Sequence, residues 1–345
     1  MDSERPSASE QTIPSVDRPR EGGDQILKVL ITDFNYGDVD IEHHILEGAG
    51  LEVVEAQCRT EEDVVEAGRE VSALLTQYAP ITARVLAELP ELRMVGRYGV
   101  GYDVVDVGAA RERGVWVANV PDYGTEEVAA HALSMAMALL RHLPLYDRAV
   151  RDGRWHPAST GPLYRLKDLT LGVVGIGSIG GTFARRAGPW FGRTLGCDPY
   201  LEEDAWPEGV KQASLQEVFS ESLLVSLNAP LTEETRGFID RRLLERMPEG
   251  GYLVNTARGD LVAMDDLLWA LEEGPLAGAA LDVFPQEPLP ADHPLLDTPN
   301  VILTPHAAYY SLEAEKEART KAAQNVVSWA KEGRPIYPVV EGRQD

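Results

Sequence analysis

From residue 26 onward, short apolar runs alternate with stretches whose apolar residues recur at helical spacing. Parallel strands need a long crossover between them and are covered on both faces, so this alternation predicts a parallel α/β sheet. Strands are expected at residues 26–32, 51–55, 73–76, 94–96 and 115–118. A turn-rich stretch, residues 119–125, then breaks the series. Thr125 is the expected N-cap of a long helix reaching about residue 141, with a second piece towards Trp155. Glu126 and Glu127 fall in its first turn, where the helix dipole favours acids. Apolar residues from Val128 to Leu140 cover much of its circumference, so it is expected to be buried between domains or against a second subunit.

A second α/β series begins at Leu169, with strands expected at 170–175, 194–197, 223–227, 252–255, 277–281 and 300–304 and a closing helix over 312–331. The length of 345 residues exceeds one ordinary core. The fold expected is α/β, with two Rossmann-like or flavodoxin-like open parallel-sheet domains and an active site in the cleft between them. The division expected is a substrate domain over 25–122 plus 308–345 and a nucleotide domain over 123–307.

Charge narrows the function classes. A net charge of −24 repels phosphate backbones and anionic lipid, so neither nucleic acid nor a membrane surface is an expected partner. An anionic metabolite can still bind where positive groups or backbone N–H groups cluster. The two cysteines, Cys58 and Cys197, form no disulfide framework and sit in no zinc-ligand spacing, so no metal is expected and a reducing compartment is. Residues 1–24 are rich in Ser, Pro, Glu and Asp and lack a signal peptide's apolar run, which predicts a disordered tail. Residues 128–140 are too short an apolar stretch to span a bilayer. The cytoplasm is the expected location.

The strongest local signal is LTLGVVGIGSIGGTFARRA, which contains Gly175, Gly177 and Gly180 as G-x-G-x-x-G between an expected strand and an expected helix. The first glycine serves a tight turn, the second lets backbone approach a pyrophosphate, and the third permits close helix–strand packing. Eighteen residues after Gly180 stands Asp198, whose carboxylate can accept from an adenosine ribose and would repel a 2′-phosphate. NAD is therefore expected over NADP, with nearby Arg193 the feature that points the other way.

Arg258, Glu287 and His306 each follow an expected strand of this second series, and ligands of open α/β sheets sit outside the carboxyl ends of strands. Hydride transfer to a 2-keto acid leaves negative charge on the carbonyl oxygen, which a protonated imidazole can neutralise. A carboxylate beside the imidazole favours its charged form, and an arginine can hold the substrate carboxylate. Singly, the three have plain alternatives: a loop salt bridge, a solvated acid, a structural histidine. After a dinucleotide fingerprint, the joint catalytic reading dominates.

These motifs resemble the D-isomer-specific 2-hydroxyacid dehydrogenase family. Glycine fingerprint, ribose aspartate, N-x-A-R-G at 255–259, D-V-F-x-x-E-P at 282–288 and T-P-H at 304–306 stand in the family's order across residues 26–335. The resemblance makes Arg258 the substrate-orienting arginine, Glu287 the partner of the histidine and His306 the acid/base. It implies cofactor contacts at Gly175, Gly177, Ser178, Ile179, Gly180 and Asp198. Asn228, Pro230, Thr256, Ala257 and Asp282 are the other implied cofactor contacts. Substrate contacts are implied at Arg97, Tyr98, Gly99, Val100, Gly101 and Tyr309, with backbone N–H groups of the 99–101 turn on the substrate carboxylate. A homodimer built around the long helix after residue 125 is also implied.

RYGVGYD, RHLPLYDRAVRDGRW and HAAYYS resemble the branch containing the C-terminal-binding proteins. Animal members of that branch carry tryptophan where Tyr309 stands, phosphite-oxidising relatives carry lysine where Val100 stands, and many relatives carry histidine where Asn228 stands. The activity expected is NADH-dependent reduction of a 2-keto acid to a D-2-hydroxy acid. The rival is an NAD(H)-sensing corepressor-like scaffold, which has no chemical need for the proton-donating set. Arg97 raises a third possibility, a doubly charged substrate such as a phosphonate or dicarboxylate keto acid.

Overall fold

The structure, a computed structural model, describes residues 26–343, so the expected 1–24 tail lies outside the described residues. Strands β1 (Lys28–Ile31), β2 (Glu52–Glu55), β3 (Ala73–Thr76), β4 (Met94–Arg97) and β5 (Trp116–Ala118) pair in parallel in the order β5-β4-β3-β1-β2. Strands β6 (Thr170–Val174), β7 (Arg193–Cys197), β8 (Val210–Gln212), β9 (Leu224–Leu227), β10 (Gly251–Asn255), β11 (Leu276–Leu281) and β12 (Val301–Leu303) form a second parallel sheet, ordered β12-β11-β10-β9-β6-β7-β8. A last strand, β13 (Pro338–Val340), returns to the first sheet and pairs antiparallel with β5. Every residue of β3, β4, β9 and β10 is buried, as sheets covered on both faces require.

Edge strand β8 carries Lys and Gln and edge strand β13 opens on Pro338, and neither was expected from the sequence. The Leu312–Glu332 helix covers the first sheet, burying Ala318, Ala322, Ala323 and Val326. Its Arg319 reaches both oxygens of fully buried Glu42, at 3.0 Å from Nε to Oε1 and 2.8 Å from Nη2 to Oε2, and Nη2 also meets Asp38 at 2.9 Å. That pairing locks the helix to the Asp40–Gly48 helix.

The long helix spans Thr125–Leu140 and packs on the Ser178–Ala187 helix and on β10 and β11, burying Ala129, Ala132, Met135, Ala136, Leu139 and Leu140. Its N-cap is Gly124, without a side-chain bond, and Thr125 is already inside the helix. Glu127 in the first turn accepts from Ser311 at 2.9 Å, so a side chain from outside the helix engages that end. The chain passes between the sheets near Tyr123 and again near Tyr309, whose ring centroids lie 6.2 Å apart. Between the sheets is a cavity of about 480 Å³, lined by residues that follow β1, β3 and β4 on one side and β6, β9, β10, β11 and β12 on the other.

Candidate active site

His306 follows β12 in a left-handed backbone conformation, φ 53°, which costs a non-glycine residue roughly 1–2 kcal/mol. Asp282, fully buried after β11, holds that turn. Its carbonyl accepts the His306 N–H at 2.8 Å, Oδ1 accepts the Ala307 N–H at 2.8 Å, and Oδ2 accepts the Ala308 N–H at 2.9 Å. The Thr304 hydroxyl adds a bond to Oδ1 at 2.5 Å. That hydroxyl has one proton, given to Asp282, so His131 Nε2, 3.1 Å from Thr304 Oγ1, must be its donor. Asp282 borders the cleft, as expected of a cofactor contact, but both its oxygens are engaged in shaping the histidine's turn.

His306 Nδ1 lies 2.7 Å from Glu287 Oε2, and Glu287 Oε1 accepts the Phe284 N–H at 2.9 Å. Burial alone would raise the Glu287 carboxyl. The hydrogen bond and charge of His306 outweigh burial and hold it below its ordinary value. With Nδ1 committed to Glu287, Nε2 is the ring nitrogen left to the cleft.

Arg258 reaches the same cleft from the loop after β10. Asn255, buried at the strand end, shapes that loop: Oδ1 accepts the Ala257 N–H at 3.0 Å and Nδ2 donates to the Arg258 carbonyl at 2.8 Å. Arg258 Nε donates across the cleft to Asp103 Oδ1 at 2.9 Å. A Cβ on Gly101 would fall 1.5 Å from Arg258 Nη2, so a side chain there would displace the guanidinium. Burial opposes ionisation of Asp103, but the charge of Arg258 prevails and keeps its carboxyl below the ordinary value. Val100 and Gly101 border the cavity, and among the described residues none accepts from their N–H groups.

Arg97, at the end of β4, is 8% exposed. Its Nη1 donates to the Tyr98 carbonyl, and among the described residues its Nε has no partner. Gly99 folds tightly against this guanidinium with φ 122°. Tyr98 borders the cavity, but its ring belongs to the core, 5.7 Å from Tyr36. Tyr78 and Tyr309 stand edge-on to His306, at ring-centroid distances of 6.3 and 6.4 Å.

The glycine turn fits a dinucleotide. A Cβ on Gly180 would lie 1.9 Å from the Gly175 carbonyl oxygen, whereas one on Gly177 would meet nothing within 4 Å, leaving that side open to a ligand. The Ser178–Ala187 helix starts without a side-chain cap, so its first N–H groups are free for an anion. Asp198 Oδ2 accepts the Ile176 N–H at 2.8 Å and Oδ1 the Tyr200 N–H at 3.0 Å, fixing the carboxylate beside the turn and a second cavity of about 460 Å³. Arg193 sits at the opposite end of β7, bonded to Glu221 at 2.6 Å, and does not offset that carboxylate. Asn228 Oδ1 and Thr256 Oγ1 are buried without partners among the described residues, and both residues line the cleft with Ile179, Pro230 and Ala257. Two orphaned polar atoms beside a glycine turn are what a bound nicotinamide amide would satisfy.

Asp103, Asn255, Tyr36 and Tyr78 were not assigned roles from the sequence. The strand-end rule that points to His306 also covers Tyr36 after β1 and Tyr78 after β3. No local signal marks Asp103 as the partner of Arg258, because the two are 155 residues apart.

Residues 133–308 match the family model described as D-isomer specific 2-hydroxyacid dehydrogenase, NAD binding domain. The chain is 42% identical over 271 residues to a glyoxylate reductase of Korarchaeum cryptofilum, covering 77% of this chain and 82% of that one. It is 31% identical over 323 residues to a hydroxypyruvate reductase of Blautia hydrogenotrophica, covering 91% and 99%. Its fold matches a D-lactate dehydrogenase from Aquifex aeolicus, solved with NAD and lactic acid, with a TM-score of 0.81 at 28% identity over 89% of this chain and 98% of the other.

Proposed function

Because the chain belongs to the D-isomer-specific 2-hydroxyacid dehydrogenase family, we infer that it is an NAD-dependent oxidoreductase that reduces a 2-keto acid to the D-2-hydroxy acid. The observation that carries the reading is the His306–Glu287 pair facing one cavity with Arg258 and the glycine turn. Bound in that cradle, NADH supplies the hydride. The N–H groups of Val100 and Gly101 hold the substrate carboxylate, and Arg258 orients it and polarises the carbonyl. His306 Nε2 protonates the carbonyl oxygen and takes the proton back in the reverse direction. Glu287 keeps the imidazole oriented through its bond to Nδ1. Asn228 and Thr256 hold the nicotinamide end, and Asp198 the adenosine ribose.

The test follows NADH absorbance against glyoxylate, hydroxypyruvate, phenylpyruvate, a branched aliphatic 2-keto acid and phosphonopyruvate, with NADPH in parallel. Turnover of at least one acid, faster with NADH, is expected; NADH that binds but reduces none of them would defeat the reading. Asp198→Ser is expected to narrow the NADH-over-NADPH ratio of kcat/KM by roughly tenfold or more, since the repelling carboxylate is gone. An unchanged ratio would remove Asp198 from the ribose site.

The division into a substrate domain, 25–122 plus 308–345, and a nucleotide domain, 123–307, is supported by the two chain crossings that meet at Tyr123 and Tyr309. A homodimer is supported by Leu143, Val150, Trp155 and Tyr164, large apolar residues exposed within one stretch after the long helix. Trp155 is 86% exposed in the monomer. Light scattering is expected to give a dimer mass for the wild type and a monomer for Trp155→Glu; a monomeric wild type would refute the assembly. Unpaired Cys58 and Cys197 suit a cytoplasmic setting, and among the described residues no single helix is long and apolar enough to cross a membrane.

A further inference from the structure

We propose that His131, on the Thr125–Leu140 helix, is a positioning residue for proton transfer: its Nε2–H aims the Thr304 hydroxyl at Asp282, and Asp282 in turn holds the His306 turn in its working shape. This rests on reading His306 as the acid/base. Glu287 fixes one side of the His306 ring, 2.7 Å from Nδ1, but a ring is placed no better than the backbone that carries it. That backbone is left-handed, φ 53°, a conformation that persists in a non-glycine residue only where its surroundings impose it. Asp282 is the side chain that imposes it, because its oxygens accept the N–H groups of Ala307 and Ala308 at 2.8 and 2.9 Å.

Asp282 is fully buried, and a buried carboxylate is stable only when donors surround it. Among the described residues no lysine or arginine lies within 4.0 Å of it, and the one basic side chain that near is His131, with Nε2 3.8 Å from Oδ1. The remaining side-chain donor to Asp282 is the Thr304 hydroxyl, at 2.5 Å. A hydroxyl rotates and has a single proton, so the direction it takes depends on its other neighbour. That neighbour is His131 Nε2, 3.1 Å from Thr304 Oγ1. With a proton on Nε2, the imidazole donates to Oγ1 and leaves Asp282 as the acceptor of the hydroxyl. With a bare Nε2, the imidazole would compete with Asp282 for that one proton. Successive bonds in such a donor chain polarise and strengthen one another. The chain begins on a helix packed against β10 and β11 and ends at the backbone N–H groups of the catalytic turn. It thereby ties the turn that carries the acid/base to a rigid element set back from the cavity.

Four variants test the chain: His131→Gln, whose amide keeps a donor near the position of Nε2; His131→Leu, which has none; Thr304→Val; and the double variant His131→Leu with Thr304→Val. Hydrogen exchange of the Ala307 and Ala308 amides reads the turn without any substrate. Exchange is expected to quicken by roughly tenfold in His131→Leu and in Thr304→Val, the scale of one lost hydrogen bond, and to stay within about threefold of wild type in His131→Gln. Turnover of whichever 2-keto acid the wild type reduces fastest should follow the same order. There kcat is expected to fall roughly tenfold in the two donor-less single variants, with KM and the Kd for NADH little changed. The double variant should lose no more than Thr304→Val alone, since both changes break one chain. Equal losses in His131→Gln and His131→Leu would reduce His131 to a packing residue and overturn the proposal. So would wild-type exchange and kcat in His131→Leu, or losses that add in the double variant. Quickened exchange at Ala307 and Ala308 in a protein that reduces no 2-keto acid would uphold the chain and defeat the acid/base reading instead.

Discussion

His306→Asn is expected to lower kcat for 2-keto acid reduction by roughly a hundredfold or more while NADH binding is retained. The ring is committed on one side, Nδ1 to Glu287 at 2.7 Å, so Nε2 alone can deliver a proton to the cleft. Asparagine can still hydrogen-bond there, but it has no proton to transfer. Fluorescence titration with NADH separates the two effects, because the glycine turn and Asp198 lie on other strands. Wild-type turnover in the variant would remove His306 from the chemistry. Glu287→Gln should fall between the two, since it keeps the hydrogen bond and loses the charge.

The same pair sets an acid limit. The Glu287 carboxyl is held below its ordinary value, so its ionised form favours the native state above the unfolded value, about 4. That contribution disappears as pH falls through the depressed folded value. Glu287→Gln should therefore flatten the acid side of a stability profile measured by denaturant titration.

Arg258→Gln is expected to cost roughly a thousandfold in kcat/KM, as loss of a charged donor at the developing oxyanion does. It also leaves Asp103 without its partner in a half-buried position. The double variant Asp103→Asn with Arg258→Gln should regain thermal stability relative to Arg258→Gln but no activity. Recovery of activity in the double variant would show that Arg258 serves the cleft's architecture and not the substrate.

Much of the site was legible in the sequence because its motifs are local. A strand followed by G-x-G-x-x-G is expected to turn tightly and begin a helix, and the Ser178–Ala187 helix does begin there. Alternating apolar runs identified the interior strands, since burial on both faces demands them. The short edge strands β8 and β13 carry no such demand and were not visible.

What the sequence determined by itself, then, is the parallel α/β pattern, the dinucleotide turn with Asp198, and the identities of Arg258, Glu287 and His306, because each depends on residue types at short, fixed spacing. Tertiary structure alone decided who meets whom. It set Asp103 against Arg258, made Asp282 the clamp of the His306 turn, and paired Arg193 with Glu221. It also buried Arg97 at the end of β4 with its Nε lacking a partner among the described residues. Pairing and burial are properties of two segments brought together by the fold, and no run of neighbouring residues encodes them.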